Sequence, residues 1–128
     1  MTDTGIYCTG SDVVWKAGSG CSAAIKTGSI YTNSFISQAE GVINVACGKE
    51  FASSTTAFQT LGSGMRTMLT DAASNMAAIY AINWDYSGYP TRIVAEDSIN
   101  VLRDAYLRDL AILKERESQS FLMTGVAP

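Results

Sequence analysis

The chain has 128 residues, 47% of them apolar and only 16% charged, with a formal net charge of −3 and no histidine. One domain is expected at this length, burying roughly two-thirds of its unfolded surface. The lack of a basic cluster excludes a protein that grips nucleic-acid phosphates, and the lack of histidine removes the commonest general base and metal ligand at neutral pH.

The opening residues, MTDTGIYC, show neither the basic region nor the apolar run of a signal peptide. They read as a loose arm with Ile6 and Tyr7 as anchors. TGSDVVWKA, residues 9–17, predicts a short helix. Thr9 or Ser11 can cap it, Asp12 favours its first turn and Gly18 suits a left-handed stop. Val13 or Val14, with Trp15, would pin it to the core. Gly18, Gly20 and Ala23 then match G-x-G-x-x-A, with Glu40 about twenty residues further on. No strand precedes them and no βαβ pattern follows, so the segment reads as a loop and not a dinucleotide site.

From Ser29 to Cys47, apolar residues recur at Ile36, Ala39, Val42, Ile43 and Ala46, the helical period, and Gly48 closes the element. Gly41 weakens this helix by up to about 1 kcal/mol relative to Ala. Residues 51–64, FASSTTAFQTLGSG, predict an extended loop or short ribbon with Phe51, Phe58 and Leu61 as contact anchors. Long loops in small domains are more often contact elements or disordered segments than idle connectors.

The stretch from Met65 to Asp85 predicts a helix with almost no wet side, since no charge interrupts it between Asp71 and Asp85. Such a helix must be surrounded. Its uncharged span is too short to cross a bilayer, so the cover has to be protein. A small domain is expected to leave part of that cover to neighbouring subunits. Tyr86, Gly88, Tyr89 and Pro90 then break the chain, and Thr91 caps a final helix over 92–116. In that helix Ile99, Leu102, Tyr106, Leu110 and Leu113 form the apolar stripe. Glu96, Asp97, Arg103, Asp104, Arg108 and Asp109 supply charge, with Asp104 and Arg108 as an i,i+4 pair. The tail ends in Phe121, Leu122 and Met123 before Gly125 and Pro128.

The fold expected is therefore all-α: a small helical bundle of three long helices and one short helix, with an extended loop and a C-terminal tail. Cys8, Cys21 and Cys47 are odd in number and lack C-x-x-C spacing. They read as reduced thiols filling apolar space. No nucleophile, metal or nucleotide motif occurs, and the adjacent Glu96 and Asp97 point away from one another on a helix. Asp85, set among Trp84, Tyr86 and Tyr89, reads as a turn residue. No catalytic residue, cofactor or metal is expected, and the protein is not expected to be an enzyme.

The order of parts resembles the small helical head-to-tail connector (adaptor) proteins of tailed bacteriophages. The similarity rests on the capped helix TGSDVVWKAG, on SFISQAEGVINVACGKEF, on a polar loop, and on the two long helices DAASNMAAIYAINWDYSGY and RIVAEDSINVLRDAYLRDLAIL. It implies a helical adaptor domain over 1–116 and a docking tail over 117–128. It further implies a homo-oligomeric, dodecameric ring in the neck of the virion, assembled from subunits made in the host cytoplasm. The partners implied are the portal protein and a neck, stopper or tail-completion protein, with DNA passing through the lumen without specific binding and no membrane. The residues in the places of contact are Phe51, Phe58, Leu61, Trp84, Tyr86, Tyr89, Phe121, Leu122 and Met123. The alternative is a small cytoplasmic helical module, a regulator or immunity-type factor, in which Trp84, Tyr86 and Tyr89 form a protein-binding hot spot.

Overall fold

Thr9, not Ser11, opens the first helix. Its hydroxyl accepts the Asp12 N–H at 3.3 Å while the Asp12 carboxylate accepts the Thr9 N–H at 2.9 Å, a reciprocal box that satisfies two otherwise orphaned donors. The helix α1 (Gly10–Ala17) stops at Gly18, whose φ of +84° is closed to most side chains. A computed structural model describes residues 5–18, 20, 29–47, 51–84 and 88–114, for 29–34 the backbone alone.

Four more helices follow among these residues: α2 (Ser29–Cys47), α3 (Thr55–Gln59), α4 (Ser63–Trp84) and α5 (Arg92–Lys114). No strand occurs among them, and the molecule is the expected all-α bundle. The three long helices stand within two residues of their predicted bounds. Thr91 caps α5 by accepting the Val94 N–H at 3.1 Å. The stretch predicted as loop holds the extra short helix α3, capped by Ser54, whose hydroxyl accepts the Ala57 N–H at 3.1 Å. Its Ser/Thr run reads as loop because such side chains bond equally well to turns and to helix starts.

α4 is the axis, with α1, α2 and α5 all packed on it. From Ala72 to Ile82 every residue is buried except Met76 and Tyr80, which are half-buried against the core. This overturns the expectation that other subunits must shelter this helix. Alanine explains why: Ala72, Ala73, Ala77, Ala78 and Ala81 leave a rod so thin that three neighbours enclose it.

Residues 5–8 of the arm are packed and not loose, while residues 1–4 lie outside the described residues. Tyr7 is 1% exposed, and its ring packs against Phe51 and Phe58 with centroids 6.5 and 5.9 Å apart. Its hydroxyl donates to Asn44 Oδ1 at 2.5 Å and accepts the Phe51 N–H at 3.2 Å. Its N–H donates to Glu40 at 2.6 Å, and its carbonyl accepts the Thr70 hydroxyl at 2.7 Å. One residue thus ties α2, α4 and the α3 segment together. Ile6 and Cys8 also donate their N–H groups to Glu40, so a buried carboxylate organises a whole turn. Burial still outweighs these donors and raises the Glu40 carboxyl above its ordinary value. The turn needs Gly5, because a Cβ there would stand 2.2 Å from Ile36 Cγ2.

Tyr7→Phe removes one hydroxyl that serves two partners and should cost about 1–2 kcal/mol. Tyr7→Ala also empties the ring site and should cost about 3–5 kcal/mol. Urea unfolding of both variants checks the ratio; equal, small losses would mean that the arm contributes nothing to the core.

Candidate functional site

With α4 enclosed, the apolar surface lies elsewhere. Trp15, expected to pin α1 together with Val13 or Val14, is 86% exposed, whereas Val13 is buried as expected. On α2 the inward stripe is Ile36, Ala39, Glu40 and Ile43, whereas Val42, expected inside, faces out with Val45, which is 83% exposed. Gln38, Gly41, Val42, Val45, Ala46 and Tyr80 line a shallow recess of about 600 Å³. A Cβ on Gly41 would meet nothing within 4 Å, so this side of α2 is open. The only charge that α2 carries is Glu40, which is turned inward, and the open face is therefore uncharged. On α5, Ile93, Val94, Val101 and Leu107 are exposed among charged residues.

The residues predicted as contacts fall in several places. Phe51 and Phe58 are core residues packed edge-on and tilted around Tyr7, which corrects their reading as surface anchors. Leu61 is half-buried against the same core. Tyr89 is half-buried and its hydroxyl donates to the Ala17 carbonyl at 2.6 Å, fastening the α4–α5 turn to the end of α1. Trp84 is exposed. Tyr86, Asp85, Cys21, most of segment 18–28, and Phe121, Leu122 and Met123 in the tail lie outside the described residues. Cys8 and Cys47 carry free thiols, and burial pushes both up.

A second feature is polar and buried. Asp109, expected on the wet side of α5, is 1% exposed. Its place is set by the helical period: it stands three residues after Tyr106 and four before Leu113, both buried. Facing it from α4 is Asp71, to which its carboxyl is hydrogen-bonded. Lys16 of α1 donates to Asp71 Oδ1 at 2.5 Å, Asn75 donates to Asp71 Oδ2 at 3.2 Å, and Arg108 stands 3.5 Å from that oxygen. Arg108 also donates to Asp109 Oδ1 at 3.1 Å, which replaces the predicted pairing with Asp104. Burial pushes the Asp109 carboxyl up to about 7, helped by Asp71 and opposed by Arg108. Burial works to raise Asp71 too, but its bonds from Asp109 and Lys16, with the charges of Lys16 and Arg108, hold it below the ordinary range.

Beside this cluster runs a groove of about 530 Å³ between α1, α3 and α4, lined in part by Trp15, Lys16, Phe58, Arg66 and Asp71. Among the described residues no group of three or more His, Cys, Asp or Glu is gathered that could hold a metal ion. No helix among them is long and apolar enough to cross a membrane. Glu40, the acidic residue of the dinucleotide-like spacing, is occupied by the arm. No protein-family model matches the chain, and no curated protein or solved structure is significantly similar to it.

The difference between surface and core can be measured with one substitution in each. Val45→Asp should change stability by less than about 0.5 kcal/mol, because the side chain stays in water. Ile79→Asp places an unpaired charge against the core and should cost several kcal/mol. Thermal melting of the two variants checks this, and a matching loss in both would mean that the α2 face is covered within the monomer.

Proposed function

We propose that the protein is an assembly component, a head-to-tail adaptor subunit of a tailed phage that joins the portal to the neck or tail. The observation that supports this reading is a closed core beneath an open apolar surface. Trp15, Val45, Ile93 and Val101 are large apolar residues left outside although the chain encloses the alanine-rich part of its central helix. Most of these residues are scattered, but Val42, Val45 and Ala46 adjoin along the recess on α2, and adjoining exposed apolar residues mark contact sites. The uncharged face of α2 suits a different apolar face of the neighbouring copy in a ring, since the two meet without burying an unpaired charge. The reading also rests on the connector resemblance carried by the order of helices and stops in the sequence. A subunit of net charge −3 would let a packaged duplex slide past without holding it. In this reading the location is the virion neck, and the contacts are the whole activity.

The groove beside Trp15 favours a second reading, a module that seats one partner protein on a tryptophan hot spot. Light scattering of the chain alone and mixed with purified portal separates the two. The adaptor reading expects a multiple of copies on each portal ring and a loss of that loading in Val42→Asp and Val45→Asp with the fold intact. A chain that stays monomeric and ignores the portal overturns it.

A further inference from the structure

The acid pair at the α4–α5 contact goes beyond docking. Asp109 Oδ1 accepts from Arg108, but Asp109 Oδ2 is buried without a donor. The two cations do not fill that gap. Lys16 reaches only Asp71, and Arg108, 66% exposed, bonds to Asp109 only through the other oxygen. Two carboxyl groups can be hydrogen-bonded only when one carries the proton, which turns the orphaned acceptor into a donor. The groups that bear on the pair are Lys16 from α1, Asp71 and Asn75 from α4, and Arg108 from α5.

We propose that Asp71 and Asp109 share one proton and that this proton is a latch between α4 and α5. While it is held, α5 is hydrogen-bonded to α4, and Lys16 carries the link on to α1. When it leaves for solvent, the buried Asp109 carboxylate faces the half-buried carboxylate of Asp71, and the helices loosen.

The sign follows from where the proton sits. The folded-state value of Asp109 lies near 7, above the ordinary 3.8, so the folded chain keeps a proton that the unfolded chain has lost. The stability that Asp109 contributes is full below about pH 4 and is lost as pH rises toward and through 7. Asp71 acts oppositely, its contribution being present above the ordinary value and lost as pH falls below it. Glu40 is also raised, so the pair must be isolated by comparison.

Asp109→Asn supplies a donor that cannot ionise. The wild-type melting temperature should fall by several degrees between about pH 4 and 8 relative to that of the variant. Parallel curves overturn the latch. Should the variant not fold, carboxyl carbon chemical shifts of the wild-type protein decide. An Asp109 midpoint near 7 supports the shared proton, and one near the ordinary aspartate value of about 4 overturns it.

Discussion

The fold depends on how thin its central helix is. A helix studded with leucine is wide and needs many neighbours, whereas alanine at 72, 73, 77, 78 and 81 brings the surrounding backbones close. In a chain of this size three helices are then enough. The arrangement also accounts for Ser74 and Thr70 on α4. Ser74 returns its hydroxyl to the Thr70 carbonyl at 2.7 Å, and Thr70 donates to Tyr7, so the buried hydroxyls are matched without widening the rod. Dispersion gained over such close surfaces replaces the transfer energy that larger side chains would contribute.

Close packing of small residues provides little that is directional, and a smooth rod lets its neighbours slide. Two polar assemblies set the register instead. At one, Glu40, Asn44 and Tyr7 lock α2 to the arm and the arm to α4. At the other, Lys16, Asp71, Arg108 and Asp109 bind α1, α4 and α5 at matching heights. Buried polar groups often add less to stability than apolar ones of the same shape, and their use lies in choosing one arrangement.

Much of the fold was legible in the sequence because period, caps and stops are local. Thr9, Gly18 and Thr91 act within a turn of where they stand, and each does what its chemistry predicts. The surface was less legible, because facing is set by other helices. Val42 and Ile43 are neighbours of similar character, and only the positions of α4 and the arm put one out and the other in. The aromatics misled in both directions. Phe51 and Phe58 sit in polar sequence and looked exposed, yet Tyr7, distant in the chain, gathers them; Trp15 looked like an anchor but lies outside. Asp109 lies on the stripe of Leu102, Tyr106 and Leu113, so its period points inward while its charge points to water, and the period wins.

The closed core bears on how contacts could be made. If α4 needed a neighbour, the monomer would be unfolded and assembly would be obligatory, with one large apolar interface. Here the core closes within one chain among the described residues, and the exposed apolar residues are dispersed over α1, α2 and α5. Interfaces between finished subunits are more polar and depend on a few well-seated side chains. On the adaptor reading this favours a monomer that waits until a symmetric platform raises its local concentration, because linked weak contacts become strong only when presented together. The apolar helix then explains the fold of one copy, and the faces around it explain any association of many.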